Sequence, residues 1–151
     1  MGRWLWTLLA FGTAIAAAAQ LWKSVAQSPV GRADAGDSRQ VGRGEIVYRD
    51  HCAACHGADL EGQPDWRVRK PNGRLPAPPH DASGHTWHHS DEQLFALTKI
   101  GVVPPLAPQG YESDMPGFAA SLSDEEIWNV LAYIKSRWPA DIRARQQGLG
   151  P

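Results

Sequence analysis

In Cys52-Ala53-Ala54-Cys55-His56, two thiols stand three positions apart and an imidazole directly follows the second. That spacing fits c-type haem attachment, in which both thiols form thioethers with one porphyrin and the next histidine ligates the iron. The geometry accounts for the spacing: such cysteines reach neighbouring edges of one macrocycle, and the adjacent ring is held beneath its centre. The chain has two cysteines in all, so none is left over for a disulfide framework. Two other chemistries use the same residue types. A dithiol redox pair calls for a βαβ setting, and no strand-rich run precedes Cys52. A zinc site needs two further ligands, for which His85 with His88 or His89 are the candidates. One C-x-x-C-H run implies one covalent haem.

The 151 residues allow one domain with appendages. Twelve Pro and fifteen Gly point to long irregular segments. A large cofactor would stand in for part of the core that such a chain lacks. Of seven Trp, four (Trp4, Trp6, Trp22 and Trp138) fall outside or at the edge of the expected folded unit. A net charge of −1 offers no basic footprint for nucleic acid.

Residues 4–22 contain no ionised side chain, and Arg3 and Lys23 close the stretch. As a helix it would span about 28 Å, close to the thickness of a hydrocarbon core. Trp4 and Trp6 at one end and Trp22 at the other suit interfacial anchors. Ala17-Ala18-Ala19 also fits the cleavage pattern of a secretory signal. The length and the flanking Trp favour a retained anchor; either reading exports the remainder to the periplasmic side of a bacterial cytoplasmic membrane. The expected organisation is an anchor or signal at 1–23, a flexible tether at 24–40, a folded domain at 41–139 and a mobile tail at 140–151.

Within the domain, a first helix over 42–52 delivers the thiols at its C-terminal end. A second starts after Ser90, with Gln93 completing a capping box and Gly101 as the stop. Its apolar face is Leu94 and Leu97 with Ile100 or Thr98. A third starts after Ser123, with Glu126 reciprocating, and carries Ile127, Val130, Leu131, Ile134 and Trp138 on one face until Pro139. The Pro-rich stretches at 64–79 and 104–116 cannot be central strands. The expectation is an all-α fold: three main helices and irregular loops wrapped around one covalent haem, preceded by the N-terminal transmembrane or signal helix.

At this point the chain resembles the class I cytochrome c family from Val41 to Trp138. The run Gly44-Glu45-Ile46-Val47-Tyr48-Arg49-Asp50-His51-Cys52 through Gly57 is similar to the family's first helix and attachment site. Ser113-Asp114-Met115-Pro116-Gly117-Phe118, with Met115 59 positions beyond His56, is similar to the segment bearing the methionine ligand. Leu122 to Ile134 is similar to the last helix. The resemblance implies that the first and last helices cross where Gly44 meets Tyr133. It also implies that a proline carbonyl, of Pro78 or Pro79, orients the His56 ring.

The candidate site is therefore Cys52, Cys55 and His56, with Met115 as the distal ligand. His80, His85, His88 and His89 are the rival distal ligands. Met115 is the one methionine besides the initiator; a thioether opposite an imidazole raises the potential and closes the sixth position. Among Arg67, Arg69 and Arg74, Arg67 is favoured as a propionate partner. Trp87 is expected to pack near the haem, with the surrounding histidines in a structural loop. Residues 41–138 carry nine Lys and Arg against thirteen Asp and Glu, a charge of −4. That suits weak redox encounters with neutral or basic faces of a membrane oxidase, dehydrogenase or bc-type complex. The function implied is one-electron transfer without a small-molecule substrate. Alternatives are a cytochrome subunit of a larger membrane oxidoreductase, a haem ligand sensor or a metal-binding module.

Overall fold

The computed structural model describes residues 32–149. The proposed anchor or signal at 1–23, and residues 24–31 of the tether, lie outside this range. The first helix, α1 (Ser38–His51), forms because Asp37 caps it: its carboxylate accepts from the backbone N–H of Arg39 at 2.9 Å and Gln40 at 3.3 Å. α1 thus begins four residues before the expected start, inside the stretch assigned to the tether. Gln40 folds that stretch back, accepting from Asp34 N–H at 2.7 Å and donating to the Arg32 carbonyl at 3.0 Å. Ala33 is buried in the core. For residues 32–40 the reading of a flexible tether is therefore corrected, because these side chains satisfy the local backbone.

A single further turn, α2 (Ala53–His56), continues past Cys52 and stops at Gly57, whose φ is 81°. A long irregular segment follows, broken by a 3₁₀ turn over Thr86–His88. α3 (Asp91–Ile100) and α4 (Asp124–Ser136) each start with a complete capping box, Ser90 with Gln93 and Ser123 with Glu126. Among the described residues there is no strand, and no helix is long and apolar enough to cross a membrane.

α4 is the centre of the described domain. Every residue from Ile127 to Lys135 is buried, because α1 packs on one side and α3 on another. The crossing with α1 is close. A Cβ on Gly44 would stand 2.5 Å from the Asn129 carbonyl carbon, 2.9 Å from Tyr133 Cβ, and in still harder contact with the Asn129 oxygen. Gly44 therefore lets two backbones touch, and Tyr48 then packs on Tyr133 at 5.3 Å between ring centroids. Phe95 of α3 stacks on Trp128 of α4 at 4.4 Å. On α3, Leu94 and Thr98 are buried while Ile100 is largely exposed.

α4 stops at Ser136, short of the expected end at Pro139, and Pro139 instead opens a further helix, α5 (Ala140–Gln147), in the stretch read as a mobile tail. Ile142 packs against the core, and buried Gln146 donates to Asp91 Oδ1 at 2.7 Å and to the His89 carbonyl at 3.2 Å. The same Asp91 pairs with buried Lys135 of α4 at 2.7 Å. Trp138, read as peripheral, is 2% exposed and donates its indole N–H to the His80 carbonyl at 2.7 Å. Periodicity could not reveal these long-range polar contacts.

Candidate functional site

The end of α1 and the turn of α2 place Cys52, Cys55 and His56 on consecutive hydrogen-bonded steps. The Cys52 carbonyl accepts from Cys55 N–H at 3.1 Å and His56 N–H at 2.9 Å. Both thiols are free; Cys52 is half-buried and Cys55 exposed. Burial and the neighbouring Cys55 push the Cys52 thiol up to about 12. Tyr48 of α1 donates its hydroxyl to the Gly57 carbonyl at 2.9 Å, tying the helix to the residue beyond the motif.

His56 is 7% exposed. Its Nδ1 lies 2.8 Å from the Pro78 carbonyl oxygen. A carbonyl only accepts, so Nδ1 carries the proton and Nε2 keeps its lone pair. Burial lowers the pKa of the ring, against the Pro78 hydrogen bond that raises it, and favours the neutral form. A neutral imidazole with one nitrogen oriented by a backbone acceptor is the form that ligates metals.

The carbonyl belongs to Pro78, and Pro79 is corrected in that role: its own carbonyl faces the Thr86 hydroxyl at 3.4 Å. Two glycines admit this proline pair. A Cβ on Gly62, at φ 71°, would lie 2.7 Å from the Pro78 carbonyl carbon, and one on Gly84 would lie 2.8 Å from that of Pro79. Sequence reading missed both glycines, since neither stands in a motif. The Leu60 carbonyl accepts from His80 N–H at 2.8 Å and Asp81 N–H at 3.2 Å, holding the strap in place.

His80 lies flat on His56, with ring centroids 3.9 Å apart and planes 21° from parallel. Two rings ligating opposite faces of one iron share an axis through it, so a ring stacked on His56 is not placed to be its opposite ligand. Burial, then the neighbouring His56 and His85 rings, drive the His80 pKa well down, favouring the neutral form.

Met115 sits half-buried on a segment held from two sides. On one side Phe118 N–H donates to the Thr98 carbonyl and Ala119 N–H to that of Lys99, both at 3.0 Å. A Cβ on Gly117 would meet the Ile100 carbonyl carbon at 2.7 Å, so this segment lies directly on the end of α3. On the other side Asp114 pairs with Lys70 at 2.9 Å and Arg74 at 2.6 Å, and Arg74 also reaches Glu112 at 3.3 Å.

The other predicted residues make contacts of their own. Arg67 is exposed, its guanidinium 4.2 Å over the Trp66 ring. Trp66 in turn stacks on His85 at 5.4 Å. Trp87 packs partly against the core, stacks on His88 at 3.7 Å and donates to the Ala82 carbonyl at 3.3 Å. No hydrogen bond or ring contact among the described residues joins Arg67 or Trp87 to His56. Arg69 donates to the Gly73 carbonyl at 2.6 Å, and Arg74 is engaged with Glu112 and Asp114. His85 and His89 meet edge to face at 5.6 Å. Among the described residues no group of three or more His, Cys, Asp or Glu side chains is disposed to hold a metal ion, so the zinc alternative lacks its donor set.

Residues 41–138 match the protein-family model for cytochrome c. The chain belongs to the cytochrome c family. Membership implies covalent haem c and haem-based electron transfer. This cytochrome c is also similar to a thiosulfate dehydrogenase of Allochromatium vinosum, 33% identical over 93 residues. That match covers 60% of this chain and 29% of the relative, so the chain spans well under two thirds of the protein it matches. No solved structure matches the chain. The donor set of the cytochrome fits the group the family implies: two free thiols one helical turn apart and an oriented, neutral imidazole.

Proposed function

We propose that this protein is a one-electron carrier with a single haem c, held by thioethers to Cys52 and Cys55, ligated by His56 and Met115, and working outside the cytoplasmic membrane. The observation that carries the reading is the 2.8 Å approach of His56 Nδ1 to the Pro78 carbonyl, immediately beyond two free thiols. When bound, the haem supplies an iron that changes oxidation state by one electron. His56 would present Nε2 to it, and the Pro78 carbonyl would hold Nδ1 so that Nε2 stays aimed as charge changes. Met115 would offer the iron a soft thioether that favours the reduced metal, which suits electron transfer over oxygen activation. The two-sided anchoring of residues 112–119 keeps that thioether in one place between oxidation states.

Arg67 supplies a cation for a propionate, and Trp87 shields the loop beside the site. Residues 4–22 tether the domain to the periplasmic side of the membrane, which raises its effective concentration near membrane-bound partners. Those partners are a membrane oxidase, a dehydrogenase or a bc-type complex, met through neutral or basic faces that complement the −4 charge of residues 41–138.

The test is Met115→Ala in the matured protein. The far-red sulfur-to-iron band disappears and the reduction potential falls; an unchanged spectrum would place the distal ligand elsewhere.

A second reading has a specific support, the likeness to a thiosulfate dehydrogenase. In that reading the chain is a cytochrome subunit whose ferric haem accepts, one at a time, the electrons released as thiosulfate is oxidised. Thiosulfate added to the purified ferric protein separates the two. Haem reduction by thiosulfate in protein that purifies with stoichiometric partners supports the subunit, and reduction only through a separately added dehydrogenase supports the carrier.

A further inference from the structure

A hydrogen bond from Nδ1 to a carbonyl fixes one point of the His56 ring but leaves the plane free to rock about that bond. The second restraint is His80, whose ring covers the His56 ring at 3.9 Å and 21°. His80 is itself fixed at four places. Its N–H donates to the Leu60 carbonyl at 2.8 Å, and its carbonyl accepts from Trp138 Nε1 at 2.7 Å. Its Nδ1 lies 2.8 Å from the Oγ1 of buried Thr86. The Tyr48 ring meets it edge to face, with centroids 6.4 Å apart. A hydroxyl both donates and accepts, so Thr86 holds His80 Nδ1 in either tautomer. An aliphatic side chain here would touch the imidazole through a few methyl hydrogens and let it tilt. A flat ring held at both ends does not.

We propose that His80 is a positioning residue that sets the orientation of the proximal imidazole plane in the loaded cytochrome. The inference rests on His56 being the iron ligand. Its consequence is electronic, because the plane of a ligated imidazole, together with the orientation of the opposite ligand, would set which iron d orbital holds the unpaired spin of the ferric state. His80 thereby selects the porphyrin edge on which that spin is concentrated.

The experiment compares matured wild type with His80→Leu, His80→Phe and Thr86→Val. The readouts are the low-temperature EPR g values and the hyperfine-shifted haem methyl resonances of the ferric form, with the far-red band recorded alongside. His80→Leu redistributes the haem methyl shifts and alters the g anisotropy, while the far-red band persists because the distal side is untouched. His80→Phe, which keeps a flat ring, returns both towards wild type. Thr86→Val preserves volume but frees the His80 ring, and shifts both in the direction of the leucine variant. If His80→Leu fails to mature, the phenylalanine and valine variants decide the matter between them. Wild-type g values and methyl shifts in the leucine variant, or in both Thr86→Val and His80→Phe if leucine fails, overturn the proposal. A wild-type ferric protein with no histidine-ligated low-spin signal refutes instead the ligand assignment beneath it.

Discussion

Two glycines on one helix allow the α1–α4 crossing to be tested against an internal control. Gly42 and Gly44 both sit within α1, so replacing either by alanine brings the same gain in helix propensity, about 0.5–1 kcal/mol. At Gly42 an added Cβ meets nothing within 4 Å, and the gain stands alone. At Gly44 the Cβ would stand 2.5 Å from the Asn129 carbonyl carbon and 2.9 Å from Tyr133 Cβ. Carbon atoms are comfortable at about 3.5–4.0 Å, so α1 must withdraw by roughly 1 Å. Backbone cannot rotate away as a side chain could. The withdrawal also loosens Val47 and Tyr48 against α4, in a core where small gaps forfeit dispersion energy. Overpacking of this kind costs about 1–3 kcal/mol, and the rigid obstacle places this case near the upper end. Gly44→Ala should therefore lose a net ~2 kcal/mol, and the gap from Gly42→Ala should be about 3 kcal/mol. For a domain of this size that lowers the melting temperature by roughly 10 °C. Urea and thermal unfolding of the matured protein, followed by far-UV circular dichroism, measure it. A Gly44→Ala midpoint equal to or above that of Gly42→Ala would refute the close crossing.

The remaining expectations concern charge. Lys135→Met strands Asp91, which is 14% exposed, with Gln146 as its remaining polar side-chain partner among the described residues; the loss should reach ~3 kcal/mol in urea unfolding. Lys99→Met breaks the exposed pair with Asp124 and should change stability by less than about 1 kcal/mol; equal effects would contradict the difference in burial. Lys70 and Arg74 hold the Asp114 carboxyl below its ordinary 3.8. Its contribution to stability is then full above that value and disappears as pH falls through the lower folded one. Asp114→Asn should accordingly be less stable than wild type at pH 7, with the gap closing towards pH 3; a gap independent of pH would show that the pairs with Lys70 and Arg74 do not act.

How much of this was legible in the chain differs from element to element. The thiols and His56 were readable because their chemistry is set by spacing along one turn. The starts of α3 and α4 were readable because capping boxes are four-residue codes, and the buried face of α4 because its apolar period is strong. Ser38–Val41 was missed because Asp37 caps from within a polar stretch whose composition looks like linker. α5 was missed because its sequence has almost no apolar face; what holds it is Gln146 reaching Asp91, 55 residues away.

The site divides in the same way. Local sequence determined that two sulfurs and an imidazole would be presented together, since a helical turn places neighbours by covalent geometry alone. Tertiary structure decided that Pro78 rather than Pro79 orients that imidazole, that His80 covers it, and that Trp138 closes over His80 from the far end of the chain. Those contacts span 22 to 58 residues. Which partner wins at such separations depends on where glycines let backbones meet, and that becomes defined only when the helices have packed.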